Sequence, residues 1–208
     1  MVPHFKKNAT IAISLIIVGL IIFGIIFYRD PQRNIPLENG IIVSPADGKI
    51  ISIDTVKSDE IPFTEKNGKI IYLPELKGII EGNYTMISIF MGPFDVHVNR
   101  APISGQVTDI MYIKGGHLPA FGEVITENER NMVIIDGEIR TVTIQIAGTL
   151  GRRIDCYVEK GEILEMGERI GRIKLGSQAV IIYPFRYSTK VNVGDRVKAG
   201  ESIIANLN

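Results

Sequence analysis

The uncharged run TIAISLIIVGLIIFGIIFY, residues 10–28, constrains this chain more than any other feature. At about 1.5 Å of rise per helical residue it spans roughly 30 Å, the thickness of a bilayer's hydrocarbon core. It is too long for the apolar segment of a cleaved signal peptide, and no small-x-small site follows it. Apolar on every side and placed at the start of the chain, it does not read as a core helix either. Residues 1–30 are therefore read as a membrane anchor. Lys6 and Lys7 precede the run while Arg29 and Arg33 follow it, so the positive-inside rule is nearly balanced. The expectation adopted is a cell-membrane protein whose remaining residues face the cytoplasm.

Residues 31–40, PQRNIPLENG, carry two prolines and mixed charge and read as a linker. From Ile41 to Asn208 the pattern is β. Short runs rich in Ile, Val and Tyr alternate with Gly, Pro, Asn and Asp: GIIVSPADGKIISI, GKIIYLPE, YTMISIFM, GQVTDIMYI, RRIDCYVE, RIGRIKL and AVIIYP. Asp136-Gly137 suits a hairpin turn with positive φ between Met132–Ile135 and Ile139–Ile146. PAFGEVITENER, residues 119–130, is the one further stretch with some helical character. The fold class expected is mostly β, a sandwich or barrel behind one N-terminal helix. A faint echo links VEKGEILEMGERIGRIK with VNVGDRVKAGESIIANL, and SPADGKIISI has a similar cadence. Lipoyl-carrier-like sandwiches use such Gly-Asp turns, but no modifiable lysine stands in an MKM or DKA setting. The echo reads as shared turn chemistry.

Charge narrows the function. The 23 basic residues balance 23 acidic ones and no long basic run occurs, so no nucleic-acid partner is expected. The single cysteine, Cys156, excludes an internal disulfide framework and a Cys-rich zinc site, and reads as a small core hydrophobe. Of the three histidines, His4 reads as a surface residue and His117 as a loop residue. They are too widely spread for a metal site, and neither HxH nor HExxH spacing occurs.

The densest polar constellation is MGPFDVHVNRAPISG, where Asp95, His97, Asn99 and Arg100 fall within six residues. On a strand Asp95, His97 and Asn99 would share one face, either as a solvated edge or as a site. Asp47, in SPADG, reads as a turn residue or as a second candidate. Ser177 follows Gly176 between two β runs. It lacks the second glycine of a G-x-S-x-G elbow, and β rather than helix follows it. A different chemistry suits Gly-Ser between strands. The serine hydroxyl can attack the preceding carbonyl, and β-elimination and hydrolysis of the ester then leave a pyruvoyl group. Such a ketone does the work of pyridoxal phosphate as an electron sink.

Taken together and in order, SPADGKI, MGPFDVHVNRAPISGQV, ENERN, QIAGTLGRRI and GRIKLGSQAVIIYP resemble the short form of the phosphatidylserine decarboxylase proenzymes, including the archaetidylserine decarboxylases. The resemblance runs from about Ile41 to Asn208. It implies self-cleavage between Gly176 and Ser177 into a β chain, 1–176, and an α chain, 177–208, that remain together as a heterodimer. It implies a covalent pyruvoyl cofactor made from Ser177, with no metal and no pyridoxal phosphate. Asp47 matches the acidic residue of the family's self-cleavage triad. His97 matches a histidine linked with decarboxylation, as proton donor or base.

The sequence departs from the long forms at Arg100, which stands where they carry a second histidine; arginine is a poor general base. Either His97 serves both steps or another group activates Ser177. Arg100, Asp95, Arg152 and Arg153 are candidates for holding the substrate's phosphate or carboxylate. The implied reaction converts phosphatidylserine or archaetidylserine to the ethanolamine lipid and CO2 through a Schiff base, with a phospholipid and the membrane as partners. The competing reading is a membrane-tethered, lipoyl-like β-sandwich adaptor without catalysis.

Overall fold

The computed structural model describes residues 2–58, 62–66, 69–119, 125–149, 153–174 and 177–207. One helix, α1 (Val2–Tyr28), opens the chain. Its Thr10–Tyr28 portion is long and apolar enough to cross a membrane, and it is almost wholly exposed until its last turn. The strands follow as β1 (Ile41–Val43), β2 (Gly48–Ser58), β3 (Phe63–Lys66), β4 (Lys69–Tyr72), β5 (Gly82–Met91), β6 (Val98–Arg100), β7 (Gly105–Ile113) and β8 (Arg130–Asp136). The rest are β9 (Arg140–Ile146), β10 (Ile154–Cys156), β11 (Ile163–Leu164), β12 (Arg169–Ile173), β13 (Ser177–Pro184), β14 (Tyr187–Thr189), β15 (Arg196–Val197) and β16 (Ile203–Leu207). The chain is thus mostly β behind one apolar helix.

A large sheet runs β11-β7-β8-β9-β13-β5-β2-β3-β4, with β15 added on β2; two three-stranded sheets, β1-β16-β14 and β10-β12-β6, complete the fold. The central strands are apolar on both faces because both faces are buried. Ala179, Ile181 and Tyr183 of β13 join Ile87 and Ile89 of β5 in a cluster that also takes Ile42, Ile170 and Ile204 from the small sheets. Val180 and Ile182 point the other way, with Met132, Ile134, Val142 and Ile144, under Leu73, Leu76 and Ile80. Leu76 belongs to a short 3₁₀ turn, Pro74–Leu76, whose first position is a proline.

Three local expectations change. Within 119–130, residues 125–127 form a turn and Arg130 already begins β8; residues 120–124 lie outside the described ones. The β8–β9 hairpin is present, but Gly137 does not take positive φ. It is needed for space, because a Cβ there would collide with the Ser104 carbonyl oxygen. Cys156 is exposed rather than buried, since it ends β10, an edge strand held by β12 alone.

The sequence echo has a structural cause. Glu159–Glu162, Glu165–Glu168, Asn192–Asp195 and Lys198–Glu201 are four i→i+3 turns. Each has glycine at its third position with positive φ: Gly161, Gly167, Gly194 and Gly200. Both units dock alike. Gly200 N–H donates to Ser44 O at 2.8 Å, and Gly167 N–H to Ala101 O at 2.9 Å. Ala199 N–H donates to Asp47 Oδ1, and Met166 N–H to Ser104 Oγ, each at 2.8 Å. Asp47 therefore occupies the place that Ser104 fills in the other unit.

The segment after α1 has no regular structure, yet it is pinned to these turns. Asp30 pairs with Arg100 and Arg169, and Arg33 with Asp47. Ile35 lies against both Gly167 and Gly200. Replacement of Gly200 by alanine combines backbone strain with contacts to Ile35 and Arg100, and should cost about 2–3 kcal/mol. At Gly194, which opens onto empty space, the cost should be about 1 kcal/mol. Denaturant unfolding of the two variants in detergent checks the ranking.

Candidate active site

Ser177 is the first residue of β13 and is wholly buried. Its backbone pairs with Met91 at the end of β5, and from Gln178 onward β9 pairs on the other side. Its hydroxyl donates to Met91 Sδ at 3.6 Å. Asn99 Nδ2 reaches the same sulfur at 3.8 Å and the Pro45 carbonyl at 3.4 Å. Asn99 Oδ1 in turn accepts from Gln145 Nε2 at 2.9 Å, and Gln145 Oε1 from Asn131 Nδ2 at 3.0 Å. A line of buried amides thus runs from β8 through β9 to the sulfur beside Ser177. Such a line is tolerable in an apolar interior because each amide finds a partner. Asn131 and Gln145 were not picked out from the sequence; a lone Gln within TVTIQIA, a run otherwise rich in β-branched residues, was the available signal.

His97 lies just before β6 and is fully buried, with its carbonyl held by Ile173 N–H at 3.1 Å. Nδ1 sits 2.9 Å from the Asp95 carbonyl oxygen. A carbonyl only accepts, so Nδ1 carries the hydrogen and Nε2 keeps its lone pair. Nε2 is buried with no hydrogen-bond partner among the described residues. Burial pushes the imidazole pKa down to about 4; the Asp95 carbonyl opposes this, and the nearby Arg172 and Arg29 charges add to it. His97 is therefore a neutral base at ordinary pH.

The covering group is unexpected. The Phe27 ring, from the last turn of α1, lies 4.4 Å from the His97 ring and is itself buried. Phe23 stacks on Phe27 at 5.9 Å and meets Phe94 edge-on at 6.4 Å. The end of the apolar helix α1 is thus part of the wall around His97.

The other sequence candidates have definite partners. Asp47 is buried and accepts from Arg33 at 2.9 Å as well as from Ala199 N–H. The turn carrying it touches Asn99 through Pro45. Asp95 closes the Gly92–Asp95 turn by accepting from Gly92 N–H at 2.8 Å, and it pairs with Arg196. Arg100 is buried, giving NH1 to Gly167 O at 2.8 Å and NH2 to Asp30 at 2.7 Å. Arg153 is exposed, and its carbonyl receives Lys174 N–H. Arg152 and Gly176 lie outside the described residues. His117 sits 3.9 Å from Glu129, away from this group. No cluster of His, Cys, Asp or Glu suited to a metal occurs among the described residues.

The family model for phosphatidylserine decarboxylase matches residues 20–205. A protein of Methanocaldococcus jannaschii that carries the name archaetidylserine decarboxylase proenzyme is 43% identical over 203 residues, covering 97% of this chain and 96% of the relative. One of Methanothermobacter thermautotrophicus with the same name is 39% identical over 203 residues, covering 95% and 86%. The phosphatidylserine decarboxylase proenzyme of Burkholderia multivorans is 38% identical over 218 residues, covering 99% and 93%.

Two measurements test the site's energetics. Between pH 6.5 and about 4 the unfolded chain takes up a proton at His97 while the folded chain does not. Stability should fall by about 3 kcal/mol on acidification through that window and be insensitive to this group above it. Thermal unfolding of Ser177→Ala with and without His97→Asn, from pH 4.5 to 7.5, should give a shallower acid limb for the double variant; parallel limbs would contradict the assignment. Gln145→Leu orphans Asn99 Oδ1 and Asn131 Nδ2 and should cost roughly 2–4 kcal/mol in denaturant unfolding.

Proposed function

The chain belongs to the phosphatidylserine decarboxylase family, and on that premise we propose that it is a pyruvoyl-dependent phospholipid decarboxylase. It cuts itself between Gly176 and Ser177, then converts phosphatidylserine or archaetidylserine to the ethanolamine lipid and CO2. The observation that carries the reading is a buried serine at the head of a central strand, joined through the Met91 sulfur to Asn99, two residues along the chain from a buried neutral imidazole whose Nε2 has no partner among the described residues. A small ketone in place of Ser177 suits the surroundings shown there, which are the Met91 sulfur and the uncharged Asn99 amide that shares it.

In the first step Ser177 Oγ attacks the Gly176 carbonyl carbon. The C–O bond forms, the C–N bond breaks, and His97 Nε2 takes the hydroxyl proton and passes it to the departing amine. Loss of the Ser177 Cα proton then expels the new Gly176 carboxylate, and addition of water with loss of ammonia leaves the ketone. Asp47 supports this step through the 44–47 turn it braces with Arg33 and Ala199, whose Pro45 carbonyl holds Asn99. Once formed, a pyruvoyl group supplies the electron-withdrawing ketone that lets an amino-acid headgroup lose its carboxylate.

His97 Nε2 takes a proton from the ammonium of the incoming serine headgroup and returns it to the headgroup Cα after CO2 has left. With a pKa of about 4 an imidazolium formed at His97 is an eager donor, which suits return of the proton to the headgroup Cα. Burial of Ser177 and His97 keeps water out and favours loss of a charged carboxylate as neutral CO2. After scission the α chain stays in place, because β13 is hydrogen-bonded to β5 and β9 and β16 to β1. The anchor keeps the domain on the cytoplasmic face of the membrane, beside its lipid substrate.

An intact-mass spectrum of the purified protein should show a 177–208 fragment with a blocked N-terminus, alongside 1–176. Ser177→Ala should remain a single chain and release less than about 1% of the wild-type CO2 from phosphatidylserine or archaetidylserine vesicles. Full activity from that uncut chain would sink the pyruvoyl reading, whereas a wild-type chain that stays uncut and releases no CO2 would return the protein to the class of membrane-tethered adaptors.

A further inference from the structure

We propose that Arg29 and Arg172 seat the phosphodiester of the lipid substrate, where the membrane helix meets His97; this rests on the aminophospholipid reading above. Both guanidinium groups converge on the last turn of α1. Arg29 gives NH1 to Ile26 O and NH2 to Phe94 O, each at 2.6 Å. Arg172 gives NH2 to Tyr28 O at 3.2 Å and lies 5.4 Å from the Tyr28 ring centroid. Arg172 pairs in the β6–β12 ladder with Val98, the neighbour of His97, and Arg29 follows two residues after Phe27. These arginines differ from Arg100, whose charge is answered by Asp30.

Three features point to an anion here. Neither arginine is paired with a carboxylate among the described residues: Asp30 is given to Arg100 and Arg169, and Asp155, directly across the β10–β12 ladder from Arg172, to Lys174. Arg172 Nε is buried without a hydrogen-bond partner. Carbonyl oxygens at a helix C-terminus offset only part of two full charges. Depth selects the class of anion. Phe94, largely exposed, has its carbonyl at Arg29 while its ring meets Phe23, one turn inside the apolar run and about 6 Å along the helix from Phe27, so its side chain reaches toward the apolar run. Arg29 is the first charge after that run. The pair therefore stands at the height of lipid phosphates, and a phosphodiester placed there leaves its headgroup within reach of His97.

The test uses the full-length Ser177→Ala chain in a non-ionic detergent. Titration calorimetry would measure binding of dihexanoyl phosphatidylserine, dihexanoyl phosphatidylethanolamine and a phosphate-free serine ester of matched chain length. Arg172→Gln and Arg29→Gln should each weaken binding of both phospholipids about tenfold or more, leaving the phosphate-free ester unaffected; Arg172→Lys should fall between. Arg186→Gln, beyond the opposite end of β13 from Ser177, should change nothing and controls for general surface charge. Loss confined to the serine lipid would assign the pair to the carboxylate and overturn the proposal, as would unchanged binding at normal melting temperature. Phospholipid binding that depends on both arginines, in a protein whose wild type releases no CO2, would sink the decarboxylase reading and leave the phosphate seat standing.

Discussion

The two-sided hydrogen bonding of β13 is the constraint on which the rest depends. Its first residue, Ser177, is placed by Met91 on one flank, and from Gln178 onward β9 holds the other. A central strand is a secure place for a residue that must be positioned closely, because neither flank is free to shift. Under the pyruvoyl reading it would also suit scission at that point. The ladder and the packed side chains of Ile181, Ile182 and Tyr183 do not depend on the peptide bond preceding Ser177.

Around that strand the protein keeps an unusual amount of polarity in the dark. Asn131, Gln145 and Asn99 satisfy one another in series, and the line ends at a thioether and a hydroxyl. His97 has one nitrogen tied to a carbonyl and the other left without a partner among the described residues, as is Gln178 Oε1 beside Ser177. An orphaned nitrogen in an apolar setting lowers stability, and buried groups with shifted titration are commonly found where a reaction uses them.

The end of the apolar helix α1 packs into the domain at His97 rather than standing apart from it. Phe27 covers His97, Arg29 and Arg172 grip the helix end, and Asp30 and Arg33 lock the following residues onto Arg100 and Asp47. Under the decarboxylase reading this geometry has a clear consequence. A headgroup would enter at the water–lipid boundary while the acyl chains stay in the membrane, and the substrate would not need to leave the bilayer.

Local chemistry made much of this legible in one dimension. The uncharged 10–28 run, the β runs from Ile41 onward and the paired Gly turns depend on composition and short spacing, and all three stand in the structure. So does the adjacency of Asp95, His97, Asn99 and Arg100, although that run could not say which of them is buried or what each one meets. Those answers come from contacts far apart in sequence: Asn99 with Gln145 across 46 residues, Ser177 with Met91 across 86, Asp47 with Ala199 across 152. The sequence alone determined an apolar helix long enough to cross a membrane, a β domain and the residues from which a site can be made. Tertiary structure alone decided that His97 is a neutral base, that Arg100 is spent on Asp30 and that Phe27 belongs to the site. Period and turn preference act over a few residues, whereas desolvation and charge pairing are set by whatever the fold brings alongside.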